Sequence, residues 1–261
     1  MILGLLGDVH GNLPWLRHAI GHFQDRGIAT IVQVGDLGVG MNPRVSTDWD
    51  YIGQFMSDNG MQMLVAPGNH ENYDLIASLK PRADGWLPFR DSILLAPRGH
   101  RTEHDGRSFV WLGGAASIDR LWRTKHHREW GAPMSWWPGE AITDPDVDTT
   151  IAGGRADVMI SHEAPYPVES IERRLSPGVF PALDEAYARE VRERFTRAVA
   201  AVKPSLLIHG HYHHVVTDVW EDPHTGHTVN IAGLGMDMDI LGAAATLDTD
   251  TLNVEYLTLT I

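Results

Sequence analysis

The chain has 261 residues, 43% of them hydrophobic, and a formal net charge of -13. It holds no cysteine, which excludes disulfide scaffolds, thiolate metal sites and cysteine nucleophiles, so a metal site must use imidazole, carboxylate and amide oxygen. The acidic balance argues against an extended nucleic-acid surface, since such affinity rests on Lys and Arg, but a small phosphorylated substrate is compatible where bound cations reverse the local field.

The chain shows no linker, low-complexity tract or internal repeat, so residues 1–261 are expected to form one domain. The first apolar run, Met1-Ile2-Leu3-Gly4-Leu5-Leu6, is too short for a membrane span and lacks the basic flank of a signal peptide. A cytoplasmic protein without a membrane partner is the expectation, and the sequence sets no oligomeric state.

That run reads as a buried strand opening into Gly7-Asp8-Val9-His10-Gly11-Asn12. Asp8 and His10, two apart on extended backbone, project to one side and together suit a borderline divalent metal. A helix is predicted over 13–26, with Leu13, Leu16, Ile20 and Phe23 on one face and Gly27 at its end. His18 and His22 on this helix read as solvated or packing residues. The strand over 29–34 ends in Gly35-Asp36-Leu37-Gly38. A second helix over 48–58 carries Trp49, Ile52, Phe55 and Met56 at core spacing, and a strand over 61–66 runs into Pro67-Gly68-Asn69-His70-Glu71. Three successive βα units thus end in polar loops, and parallel units place such loops on one edge of a sheet.

Further strands are predicted over 92–97 and 156–161, the latter leading into His162-Glu163-Ala164-Pro165, and a hairpin arm over 104–113 after the Asp105-Gly106 turn. The clearest helix covers 183–202, with Leu183, Tyr187, Val191, Ala198 and Val202 facing inward. The strand over 205–208 runs into His209-Gly210-His211-Tyr212-His213, and the last third reads as an antiparallel meander over 215–221, 228–232, 243–247 and 252–259.

Taken in order, Asp8-x-His10, Gly35-Asp36, Gly68-Asn69-His70-Glu71, the lone His162 after a strand and Gly210-His211-x-His213 resemble the calcineurin-like metallophosphoesterase superfamily. Each block is common by itself, but the ordered set is specific and spans most of the chain. The resemblance implies an α/β fold, a two-sheet β-sandwich flanked by helices, with metals at the sheet edge. It implies that Asp8, His10, Asp36 and His213 hold one divalent metal and that Asp36, Asn69, His162 and His211 hold another, with Asp36 shared. Mn²⁺, Fe and Zn²⁺ all tolerate this ligand set, manganese being the working expectation. Such a pair activates water and clamps the attacking and leaving oxygens at phosphorus.

His70, adjacent to a ligand, is the expected general acid to the departing alkoxide. Glu71 either orients His70 or caps the following helix, with the cap favoured, and Asn12 is expected to support the first loop. His209 and His214 are not counted as ligands. Residues 117–140 are rich in cations and aromatics without clear periodicity. They read either as a cap over the substrate, with Arg120 for phosphate and Trp136 and Trp137 for base stacking, or as a loop whose tryptophans pack on the sandwich. Protein Ser/Thr phosphatases of this superfamily carry an Arg just after Gly-Asp that binds phosphate, whereas Gly35-Asp36-Leu37-Gly38-Val39-Gly40 has no Arg until Arg44. The expected activity is hydrolysis of small phosphodiesters such as cyclic nucleotides. The rival is a Ser/Thr protein phosphatase or other phosphomonoesterase, with a nuclease or a non-catalytic scaffold less favoured.

Overall fold

The computed structural model describes residues 1–130, 134–175 and 178–259. In chain order its elements are β1 (Ile2–Leu6), α1 (Leu13–Asp25), β2 (Thr30–Gln33), α2 (Ser46–Asp58), β3 (Gln62–Val65), α3 (Tyr73–Ser78), β4 (Leu87–Arg90), β5 (Ile93–Leu95), β6 (His100–His104) and β7 (Arg107–Leu112). They continue with α4 (Arg120–Trp130), α5 (Asp144–Ala152), β8 (Val158–Ser161), α6 (Glu169–Glu172), α7 (Ala182–Val202), β9 (Leu206–His209), β10 (Val216–Glu221), β11 (Thr228–Gly233), β12 (Leu241–Asp248) and β13 (Asn253–Thr258).

Two mixed sheets result, in the orders β13-β12-β1-β2-β3-β5-β4 and β10-β11-β9-β8-β7-β6. Period-two alternation explains their stacking. Leu3 and Leu5 of β1 join Phe109 and Trp111 of β7 and Ile208 of β9 in the layer between the sheets. Leu6, Ile31 and Met63 face the other way, onto Leu16, Ile20 and Phe23 of α1 and Trp49, Ile52 and Met56 of α2. On the far side Val110, Met159 and Leu207 meet Val147 of α5 and Val191, Phe195 and Val199 of α7. Three apolar layers therefore separate four structural ones, which is the expected sandwich flanked by helices.

Strands β1, β2 and β3 are parallel neighbours, so the loops after Leu6, Gln33 and Val65 open on one edge. Strands β8 and β9 are also parallel, and the loops following them come to that same edge. Among the described residues no helix is long and apolar enough to cross a membrane.

Several expectations need correction. The last third is not one meander. Strand β11 pairs with β10 but runs parallel to β9 in the second sheet, whereas β12 crosses to the first and pairs antiparallel with β1. The crossing connection after Gly233 therefore passes over the polar edge. On α2, Phe55 is 39% exposed, because it lies off the stripe of Trp49, Ile52 and Met56. Leu183 is 71% exposed. Asp184, one position on, takes the inward place on α7 and pairs with Arg120 at 2.9 Å. The aperiodic 117–140 segment contains a helix, α4, whose buried residue is the charged Arg123, so no apolar stripe announced it. Residues 131–133 of that segment lie outside the described residues.

Candidate metal centre

The loop after β1 enters α1 at Asn12, whose side-chain oxygen accepts from the Trp15 amide. Its amide nitrogen donates to Asp237 at 2.7 Å, and Asp237 also faces His10 Nδ1 at 3.3 Å. A carboxylate on one imidazole nitrogen leaves the other to face the site. His10 Nε2 accordingly lies 3.6 Å from Asp36 Oδ2. Asp237 belongs to the crossing connection between the sheets, and no local sequence signal had placed it here.

Asp8, His10, Asp36 and His213 each present one ligand atom, all within 4.8 Å of one another. Asp8 Oδ2 is 3.3 Å from His213 Nε2 and accepts from the His211 amide at 3.1 Å. On the other side of Asp36, Oδ1 is 3.3 Å from His162 Nε2, and that nitrogen is 3.0 Å from Asn69 Oδ1. His162 Nδ1 faces the Val34 carbonyl at 2.7 Å, so the ring donates there and turns Nε2 toward the Asp36 and Asn69 oxygens. The His211 ring is centred 5.0 Å from that of His162. All seven expected ligands thus converge from both sheets.

The backbone is bent to allow this. His10, Asp36, His211 and His213 adopt φ of 49°, 55°, 71° and 56°, a left-handed region that costs a non-glycine residue on the order of 1–3 kcal/mol and concentrates at functional sites. Two glycines clear the space. A Cβ on Gly68 would collide with Asp36 Oδ1, and one on Gly210 with Asp8 Oδ1.

The electrostatics are those of a cation site. Burial opposes ionisation of Asp36, yet His162, His70 and His10 outweigh it and hold the carboxyl well below the ordinary range. Asp8 is pushed up by burial, with His162 and His213 pulling the other way. Burial also disfavours charge on His10 and His162, but Asp36 and Asp8 raise these rings to about 9 and about 10. Asp36 Oδ2 is buried without a hydrogen-bond partner, a costly state for an anionic oxygen. Once His162 gives up its Nε2 proton, that oxygen, the freed nitrogen and the Asn69 carbonyl oxygen form an acceptor set, and a divalent cation fits it.

Glu71 caps no helix; Asn72 does so for α3, accepting from the Leu75 amide at 3.0 Å. Glu71 is fully buried and accepts from the amides of Asp36, Gly38 and Gly68, tying the loop after β2 to the loop after β3. His209 is buried against Gly233, its Nδ1 facing the Gly210 carbonyl at 2.8 Å, and His214 faces the Tyr212 carbonyl at 2.7 Å.

His70 stands at the mouth, its Nε2 3.8 Å from Asp36 Oδ2. The Arg123 guanidinium of α4 lies against both its ring nitrogens, at 3.2 and 2.7 Å, of which the neutral ring accepts at one. Asp119 and the Ser135 carbonyl hold Arg123 in place at 2.8 and 3.1 Å. Burial first, then Arg123 and His10, bring His70 down to about 4 against the pull of Asp36. Arg120 is held elsewhere: it pairs with Asp184 and stacks 3.8 Å over the Tyr187 ring. Trp137 is only 4% exposed and Trp136 is half-buried.

Comparison with known proteins gives a consistent result. The family model described as calcineurin-like phosphoesterase matches residues 1–215. A dimetal phosphatase from Danio rerio superposes with a TM-score of 0.55 at 15% identity, covering 100% of this chain and 99% of its own. The protein TT1561 of Thermus thermophilus gives 0.52 at 11% identity, covering 100% of both chains. Both are likenesses of fold. No curated protein sequence matches this chain.

Proposed function

The chain belongs to the calcineurin-like phosphoesterase family, and from that premise we propose a dinuclear, metal-dependent hydrolase of small phosphodiesters, cyclic nucleotides among them. The observation that carries it is the buried Asp36 Oδ2, which has no hydrogen-bond partner and lies 3.6 and 3.8 Å from the Nε2 atoms of His10 and His70, with the ligand atoms of Asp8, His10 and His213 on one side and those of Asn69 and His162 on the other. In this reading Asp8, His10, Asp36 and His213 hold one divalent ion, and Asp36, Asn69, His162 and His211 the second. Such a pair supplies an activated water and offsets negative charge at phosphorus.

The chain's own groups do the rest. Asp237 and Val34 hold the tautomers of His10 and His162, and Glu71 keeps the Asp36 and Asn69 loops in register. His70 faces the leaving oxygen as its proton donor. Its bare ring is neutral near pH 7, and the negative charge of an arriving phosphate opposes the burial and the Arg123 field that keep it so.

Arg123 supplies the guanidinium that the sequence lacks after Asp36, and Asp119 partly offsets its charge. One attenuated cation suits a diester, which carries a single charge. The same residue is the observation that favours the second reading, a phosphomonoesterase, because guanidinium forks stabilise dianionic phosphate. The test is kcat/KM for a matched diester and monoester of one leaving group with one metal. The expected result is a diester advantage, with Arg123→Ala losing about 10–100-fold on both, the worth of a charged hydrogen bond. A monoester advantage that vanishes in Arg123→Ala would establish the second reading.

A further inference from the structure

The amide of Asn69 can serve a cation only if its oxygen, not its nitrogen, faces the site. Nothing in the loop after β3 dictates that choice. The side-chain nitrogen of Asn69 points away from His162 and donates to Ser117 Oγ at 3.0 Å. Ser117 Oγ in turn donates to Glu140 Oε2 at 2.7 Å, and the Ser117 amide donates to Glu140 Oε1 at 2.7 Å. Asn69, Ser117 and Glu140 are all buried. Tyr187 of α7 also donates to Glu140 Oε1, at 3.1 Å.

With Glu140 ionised, the order of donors and acceptors along this chain is forced: a carboxylate only accepts, so the single hydroxyl proton of Ser117 is committed to Glu140. The lone pairs of Ser117 are then left for Asn69, which must meet them with its nitrogen. The Asn69 carbonyl oxygen is thereby turned to His162 Nε2. Arg98 fixes where the chain begins. It donates to the carbonyls of Gly139, Glu140 and Ala141 at 2.8, 2.8 and 2.9 Å and to that of Gly113 at 3.0 Å, binding the Glu140 backbone to the loop after β7.

We infer that Glu140 is a positioning residue for the metal centre, acting through Ser117 to present the Asn69 carbonyl oxygen to the ion shared by Asp36, Asn69, His162 and His211. The inference rests on the proposed two-metal reading and adds a residue from the far end of the 117–140 segment. It also makes the seating of that segment a condition for complete metal loading. A glutamine at position 140 can present nitrogen to Ser117, which frees the hydroxyl proton and lets Asn69 turn over. Ser117→Ala cuts the chain at its centre and leaves the Tyr187 bond to Glu140 in place.

The experiment is a calorimetric titration of the metal-free chain with Mn²⁺ at about pH 8, where Glu140 is mostly ionised, with elemental analysis after dialysis and thermal unfolding of each metal-free variant. In the parent, two ions bind. In Ser117→Ala and in Glu140→Gln one of the two weakens by about 10–100-fold, the usual cost of losing a group that orients a ligand, and the other keeps its affinity. The double variant is no worse than the weaker single, because both cut one chain. Parental affinity at both sites in folded variants would overturn the inference while leaving the two-metal reading intact, as would equal weakening of both sites or additive losses. A parent that binds fewer than two ions would overturn that reading and the inference with it.

Discussion

The strand-end loops and the 117–140 segment meet at His70, and they are built in opposite ways. The loops carry Asp8, Asp36, Asn69, His162 and His211, positioned by the ladders of five strands, by left-handed backbone and by the buried Glu71. The segment is fastened by side chains: Arg120 on Asp184, Arg123 on Asp119 and Glu140 on Ser117 and Tyr187. Ladder-held backbone is fixed as soon as the sandwich forms, which suits groups proposed to hold metal for any substrate. Of these groups, the side-chain amide of Asn69 leans on the segment, through Ser117. Side-chain fastenings can change without touching the core. That is where differences in substrate preference belong.

The largest expected effect tests the loop half of this contrast. Asp36→Ala removes the carboxylate shared by both ligand sets, so metal content falls and turnover drops on the order of 10⁴-fold or more for every substrate, while the far-ultraviolet spectrum is kept. Retained metal with substrate-selective loss would break the contrast. His70→Ala keeps its metals and loses roughly 10²–10⁴-fold in kcat, and the loss shrinks for good leaving groups that need little protonation. An equal loss across leaving groups assigns His70 another role.

The segment half is tested by Trp137→Ala, expected to destabilise by about 3–5 kcal/mol in denaturant titration, as for a large buried aromatic, with no dependence on substrate. Half-buried Trp136 sharpens the point: if it stacks on a base, Trp136→Ala weakens nucleotide diesters by about 1–3 kcal/mol and spares simple aryl diesters.

The smallest effect is a pH dependence. Burial pushes the Glu140 carboxyl up from 4.5 to about 7, against the bonds from Ser117 and Tyr187 that favour its charge. Between these values the unfolded chain has released the proton and the folded chain has kept it. The associated stability is therefore present below about pH 4.5 and is lost as pH rises through about 7. The metal-free parent, compared with Glu140→Gln at about pH 5 and about pH 8, should be relatively more stable at the lower value. An unchanged difference would mean that the carboxyl titrates normally.

The sequence by itself determined most of the strands, the polar loops that end five of them and the three longest helices, because periodicity and strand-end glycines are local properties. Strands β4 and β6 and the four shorter helices gave no such signal. Asp8, His10, Asp36, Asn69, His70, His162, His211 and His213 could be named because the short blocks at these strand ends, taken in order, resemble one family's motifs. The sign of a side chain's orientation was less accessible, as Phe55 and Leu183 show, since a residue beside an inward stripe is decided by its neighbour. Only the tertiary structure decided that β12 crosses to β1 and not to β11, and this brings Asp237 onto His10. It also decided that Arg120, expected to meet phosphate, is held by a buried aspartate from α7, while Arg123, three residues on, is aimed at His70. Glu140, Ser117 and Arg98 were silent for one physical reason. Their hydrogen bonds reach across tens of residues, and such bonds leave no periodic mark on the chain.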